Sequence, residues 1–318
     1  MVLNEADFVR ARARIESKDH SLRDKTMSLA QAVELVNDGD IVAFGGTMYS
    51  RTPMAVIHEI IRKQKRNLTI TRNMCSFEGE LLMTAGVAKK FITAWFSVGV
   101  PWGVSKIMRK FVEEGKVAFE EYSHLGMALR YQAAAMGIPF LPMMSMLGSD
   151  YLKHLPLREM RCPYTDRKVL LVPALFPDTA VVHVQRADRF GNLQIDGMRF
   201  CDREIALAAT KVIATTEQIV DDERIRATSD RTHVPFFAVD AVVEMPFGAY
   251  PHECQGLYEP DFDHIDKYVK TIQESGLDGV TRYLNEYVFG TTSFEEFLGL
   301  IPFRSYAKAS RNMRVLYG

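Results

Sequence analysis

The chain has 318 residues, 47% hydrophobic and 25% charged, which are ordinary globular values and ample for a sizeable core. Its formal net charge of -1 supplies no field for nucleic acid or an anionic membrane, and no apolar run is long enough to span a bilayer. Four cysteines, Cys75, Cys162, Cys201 and Cys254, lie far apart without a CxxC pair, which argues against a structural zinc site and a disulfide framework. With a charged N-terminus that lacks an apolar signal core, this usage predicts a cytoplasmic protein.

Residues 1–27 are polar and rich in Arg and Lys, and are expected to form a helical arm. Residues 28–318 are expected to form one α/β domain. Ser28 with Gln31 makes a capping box, and Leu29, Ala32, Val33 and Val36 form the buried stripe of a helix that Gly39 ends. Ile41 to Phe44 is an apolar run of strand length, and Gly45-Gly46 breaks it. Thr52 reads as an N-cap and Pro53 as a first helical residue. Met54, Ile57, Ile60 and Ile61 follow at helical spacing. The order is therefore strand, glycine turn, helix. In open α/β sheets ligands bind at such carboxyl ends of strands. The free N–H groups of the turn suit an anionic or polarised oxygen, and Arg51 is placed at the entrance. A tight turn with a surface Arg satisfies the same pattern. The basic run Arg62 to Arg66 reads as a solvated helix end.

Leu68 to Thr71 predicts a second strand, followed by a polar turn from Arg72 to Ser76. Phe91 to Val98, Val117 to Phe119, Lys168 to Val172, Thr179 to Val184, Lys211 to Thr215 and Phe236 to Met245 read as further strands. The stretches around Ile107 to Val112, Tyr122 to Met136 and Asp202 to Ala209 read as helices, and Gly137 as a C-cap. Gly148 to Asp166 lacks periodicity and is expected to be a loop insertion. Beyond about residue 262 the pattern is helical to the end, with Tyr268, Tyr283, Tyr287, Phe289, Phe294 and Phe297 as aromatic positions. The alternation of strand and helix predicts an open, largely parallel sheet flanked by helices.

The chain carries neither GxGxxG after a strand nor GxxxxGK[ST], nor a GxSxG elbow. His183 could serve as a base, yet nothing near it in sequence supplies a nucleophile, and a hydrogen-bonded core histidine fits better. His252, Glu253 and Cys254 look like a ligand cluster, but adjacent residues rarely converge on one metal, so no metal is expected. Glu78 fits the start of a helix. Asn73 and Ser76 end the second strand and could face the cleft, although turn chemistry explains them equally well. The residues alone describe an α/β protein with a βα-turn site and no self-sufficient catalytic set.

Four stretches resemble one family. Phe44-Gly-Gly-Thr-Met-Tyr-Ser-Arg-Thr-Pro53 resembles the early glycine turn of the A subunits of class I coenzyme A transferases. Gln132-Ala-Ala-Ala-Met-Gly-Ile-Pro-Phe-Leu-Pro142 is similar to their helix-to-strand passage, and His183-Val-Gln-Arg-Ala-Asp-Arg-Phe-Gly-Asn192 to their most distinctive segment. Gly248-Ala-Tyr-Pro-His-Glu-Cys-Gln-Gly-Leu-Tyr258 resembles a loop of the A subunits of glutaconate CoA-transferases. The resemblance runs in order from about residue 28 to residue 258. It implies the CoA-transferase-like α/β fold and a homologous B subunit, paired as a heterodimer and assembled to a heterotetramer or larger. It also implies a CoA thioester as substrate, with no bound cofactor. In such enzymes a glutamate of B attacks the acyl-CoA and CoA passes through a glutamyl thioester to the acceptor acid, with ping-pong kinetics. The B-type glutamate motif is absent from this chain, so no nucleophile is expected in it.

On that reading Gly45, Gly46 and Thr47 would hold an oxyanion or carboxylate through their N–H groups. Ser50 would donate a hydrogen bond, and Arg51 would bind a substrate carboxylate bidentately, with Asn73 and Ser76 lining the same cleft. Related pairs include a ring-opening hydrolase and a decarboxylase, which stand as the alternative. In the ring-opening branch the A subunit has a glutamate where this chain has His124, itself a competent base. A role as scaffold for B is the non-catalytic alternative.

Overall fold

The structure, a computed structural model, describes residues 4–311. The first three residues of the arm and the last seven of the helical tail lie outside the described residues. The strands are β1 (Ile41–Phe44), β2 (Leu68–Cys75), β3 (Ala88–Phe96), β4 (Ala118–Glu121), β5 (Phe140–Met143), β6 (Arg158–Arg161), β7 (Lys168–Pro173), β8 (Thr179–Ala187), β9 (Leu193–Gln194), β10 (Lys211–Ile219), β11 (Thr232–Val234) and β12 (Ala241–Glu244).

The sheet grows outward from β1. Val42 stands opposite Ile70 of β2 and Thr179 of β8, both parallel. Further parallel pairs extend the order to β12-β10-β8-β1-β2-β3-β4. Strands covered on both faces read as continuous apolar runs, and Ile-Val-Ala-Phe in β1 is such a run. Its residues serve two cores by simple alternation. Val42 and Phe44 face the layer that includes the helix Met54–Arg62, whereas Ala43 faces the layer that includes Tyr131 of the helix His124–Met136. Helices thus cover both faces, as the alternation predicted. Beyond the end of β1, β8 runs on and pairs antiparallel with the short β9, which carries β11. That hairpin stands as a wall above the carboxyl edge.

Several elements differ from the sequence reading. The second strand does not stop at Thr71, because Arg72 to Cys75 pair onward with β3 as far as Phe96. Gly39 is not the helix end, since the helix closes at Val33 and Gly39 turns the chain into β1. The capping box of Ser28 and Gln31 does form. The 148–166 segment is not only loop. It contains a short helix, Tyr151–His154, and β6, and β5-β7-β6 make a separate antiparallel sheet. Weak periodicity hid β6 because all its residues are exposed. The arm forms a helix, Glu5–Glu16, and continues into the fold: Thr26 bridges Val242, and the buried Lys25 ammonium donates to the Phe236 carbonyl at 2.6 Å. The aromatic positions after residue 262 pack as a group, Tyr268 and Tyr283 against Phe77 and Phe297 against Tyr287, while Phe289 is exposed. Among the described residues no helix is long and apolar enough to cross a membrane.

Candidate functional site

The glycine turn after β1 forms as expected, but its anion site is already filled. The carboxylate of Asp202, at the start of the helix Asp202–Ala208, reaches into it. Asp202 Oδ1 accepts from the Gly46 N–H at 3.0 Å and from Arg51 Nη1 at 2.9 Å, and Oδ2 accepts from Arg51 Nη2 at 3.0 Å. A Cβ on Gly45 would stand 2.6 Å from Oδ1, so this glycine makes room for the carboxylate. Gly46 has φ +62°, and its Cβ would meet the Ser50 carbonyl at 2.0 Å. Met48 and Arg51 also sit at positive φ, where side chains are strained.

This arrangement corrects two expectations. Arg51 is not at an entrance, because it is 0% exposed and its Nη1 and Nη2 also donate to the carbonyls of His183 (3.2 Å) and Met198 (2.8 Å). Nor are the turn's N–H groups open to a ligand. Gly45 donates to Val181 at 2.8 Å, Gly46 to Asp202, and Thr47 to the Ser50 carbonyl at 3.0 Å. Ser50 is buried, and its hydroxyl closes no hydrogen bond of good geometry. It lies close enough to Glu253 to favour that carboxylate, whose pKa burial nevertheless holds above the ordinary range.

A second buried layer sits beneath the turn. Arg72 pairs with Glu78 and donates to the Gly45 carbonyl (3.2 Å) and to Thr52 Oγ1 (2.8 Å). Thr52 therefore does not cap the next helix, whose N-cap position is taken by Pro53. Its hydroxyl belongs to the group made by Arg72 and His252 Nδ1. Ser76 faces inward as well: it is 0% exposed and its hydroxyl donates to the Val98 carbonyl at 3.3 Å. Glu78 starts a helix as expected, Phe77–Thr84.

Two of the sequence candidates do meet at the surface. Asn73, near the end of β2, and His124, the first residue of the helix His124–Met136, come within 2.7 Å, Oδ1 to Nδ1. Ser123 caps that helix by accepting from the Gly126 N–H at 3.0 Å. The Cys201 thiol lies beside the Asn73 amide, and burial pushes its pKa up to about 12, so it is a thiol and not a nucleophile. Exposed apolar side chains stand close by in the chain, Leu125 at 50%, Met198 at 58% and, on β3 opposite Met74, Trp95 at 37%.

His183 is a buried, hydrogen-bonded histidine: Nε2 meets Glu217 at 2.7 Å and Nδ1 meets Thr215 at 2.9 Å. Cys254 joins His183 and Glu217, with ligand atoms within 4.8 Å of one another. Both imidazole nitrogens are already bonded, and Tyr258 donates to Glu217 at 2.6 Å, so a metal here would displace existing hydrogen bonds. His252, Glu253 and Cys254 turn to different partners, as adjacent residues do. Sequence reasoning missed Asp202, Glu217 and Cys201. Asp202 gave only the signal of an acid in a first helical turn.

The fold is an open α/β sheet whose site lies at the carboxyl edge and is built by residues remote in sequence. Residues 26–245 match the coenzyme A transferase family. A protein of Archaeoglobus fulgidus named only as uncharacterized is 39% identical over 90% of this chain, which spans 64% of that relative's length. The A subunit of the 3-oxoadipate CoA-transferase of Pseudomonas knackmussii is 36% identical over 85% of this chain and 96% of its own. The solved glutaconate CoA-transferase of Acidaminococcus fermentans superposes with TM-score 0.84 at 31% identity, covering 90% of this chain and 95% of that one. A solved decarboxylase, AibA/AibB, gives TM-score 0.73 at 30% identity over 82% and 98%. The chain belongs to the coenzyme A transferase family, and within it is of the A type of the two paired chains.

Proposed function

We propose that this chain is the A subunit of a two-subunit CoA-transferase that moves CoA between an acyl-CoA and a free carboxylic acid, of the dicarboxylic class. The match along residues 26–245 carries this reading. The site supports it by what its groups are already committed to. Among the described residues at the glycine turn, Glu78 is tied to Arg72, Asp202 to Arg51, and the Cys201 thiol is held neutral. The nucleophile is therefore assigned to a glutamate of a homologous B subunit. Its carboxylate adds to the thioester carbonyl and expels CoA thiolate, leaving an acyl-glutamyl anhydride. The thiolate then attacks the glutamyl carbonyl, releases the donor acid as its carboxylate, and leaves glutamyl-CoA. The acceptor carboxylate repeats the two steps in reverse and departs as the new acyl-CoA. This chain supplies a wall of that site, with His124 as its exposed polar group.

The test is purification of the chain with and without its B partner, followed by a screen of acyl-CoA donors against short mono- and dicarboxylic acids. Transfer should require both chains, and hydroxylamine trapping with mass spectrometry should place the adduct on B. Full turnover by this chain alone would overturn the reading, as would hydrolysis or decarboxylation without transfer by the pair.

A further inference from the structure

Asn73 grips His124 at two points. Its Oδ1 lies 2.7 Å from ring Nδ1, and its Nδ2 lies 3.5 Å from the His124 carbonyl. The second contact orients the amide. A backbone carbonyl only accepts, so the nitrogen of the amide must face it, which turns Oδ1 to the ring. An amide oxygen only accepts, so ring Nδ1 must carry hydrogen. In the neutral imidazole Nε2 then keeps its lone pair. Among the described residues Nε2 has no hydrogen-bond partner, and His124 is exposed.

Both ends of the grip are fixed. Asn73 lies on a central strand, and its own carbonyl accepts from Thr93 Oγ1 at 3.2 Å. His124 stands on a capped helix start. Arg51, the expected carboxylate reader, is closed off by Asp202, whereas His124 offers a free polar atom beside the turn's strand neighbour.

We propose that Asn73 is a positioning residue that holds His124 with Nε2 toward the site, and that Nε2 meets the free carboxyl group of a dicarboxylic substrate. One proton lies between Nε2 and that carboxyl oxygen, while Nδ1 keeps its hydrogen on Asn73 throughout. This rests on the CoA-transferase reading for its substrate, although the ring geometry stands by itself.

Two measurements test it separately. In the full chain labelled with 15N-histidine, the resonances lost in His124→Gln identify the ring, and they should report the Nδ1–H tautomer. Asn73→Ala should shift that ring toward the other tautomer, and an unchanged tautomer would overturn the positioning role. In the complex with B, His124→Gln should raise KM for a dicarboxylic acid about tenfold and Asn73→Ala several-fold. A monocarboxylic acid of similar length should change little. Equal losses for both acids, or none, would overturn the carboxyl contact. If the unmutated complex transfers CoA to no acid, the function reading fails instead. The contact is then judged by calorimetric binding of glutarate to the parent complex and to His124→Gln, where equal affinity overturns it.

Discussion

The guanidinium of Arg51 and the carboxylate of Asp202 face each other at 2.9 and 3.0 Å, both fully buried, across 151 positions of sequence. The pair joins the glycine turn after β1 to the helix that follows the β9 wall. The turn has positive φ at Gly46, Met48 and Arg51, and such backbone persists only where its surroundings over-determine it. Asp202 does so by holding both a turn N–H and the turn's own arginine.

Removing one member of a buried pair leaves the other charge uncompensated. Asp202→Ala should therefore cost about 3–5 kcal/mol of stability. Asp202→Asn keeps the shape and one acceptor, and should cost less. Chemical denaturation of the purified chain measures both, and parity with the parent in either variant would mean that the pair does not support the turn.

The interior also carries ionisable groups whose burial sets opposite pH slopes. Glu80 accepts from Tyr268 at 2.6 Å, and burial raises its pKa to about 6. The folded state then holds its proton between about pH 4.5 and 6 while the unfolded chain has lost it, so this group's contribution falls as pH rises through that window. His58, packed between Phe294 and Phe297 with neither ring nitrogen bonded, is pushed down to about 3. Below pH 6.5 the unfolded chain takes a proton that folded His58 refuses, so stability is lost as pH falls from there. Glu80→Gln should gain about 2 kcal/mol on its parent between pH 4.5 and pH 7. His58→Leu should gain about 2 kcal/mol on its parent between pH 8 and pH 5. Denaturant midpoints across pH test both slopes, and flat differences would show that neither group titrates as described.

The cysteines should separate by reactivity. Burial pushes the thiols of Cys75 and Cys201 up to about 12 and that of Cys254 well above its ordinary value. The Cys162 thiol is drawn down by the Thr165 hydroxyl and nearby backbone N–H groups, and it is partly exposed on the turn after β6. Iodoacetamide at neutral pH should therefore label Cys162 first, and peptide mapping should find the other three protected. Early labelling of Cys201 would show that the Asn73 region opens.

Much of the scaffold was legible in the sequence because its signals are local. Val42 and Phe44 announce a buried strand, Gly137 announces a left-handed cap, and both form as read. Of the antiparallel sheet, β7 was read from Lys168 to Val172, but β6 was not legible, since exposed residues such as Glu159 carry no period. The site was half legible. Asn73 and His124 were singled out separately, and only the fold shows that they touch. Arg51 was singled out for a carboxylate and does bind one, but the carboxylate is Asp202. No local pattern could show that, because a turn built to hold a ligand's anion and one built to hold its own aspartate have the same glycines.

Arg51→Lys separates these two turns. A lysine can keep one contact to Asp202 but cannot form the fork or reach the carbonyls of His183 and Met198 together. Charge-assisted hydrogen bonds of this kind contribute roughly 1.5–3 kcal/mol each, so the variant should lose several kcal/mol of stability before partial relaxation. Arg51 is 0% exposed and committed to Asp202, so its loss should act on substrates only through the turn. The expected result is a lower denaturation midpoint and equal falls in kcat/KM for matched mono- and dicarboxylic acyl-CoA esters, with assembly checked by size-exclusion chromatography. About 1.4 kcal/mol corresponds to a factor of ten in such ratios, so a selective effect would be easily seen. A tenfold loss confined to the dicarboxylic ester, with stability intact, would mean that Arg51 leaves Asp202 when the partner docks and reads the substrate after all.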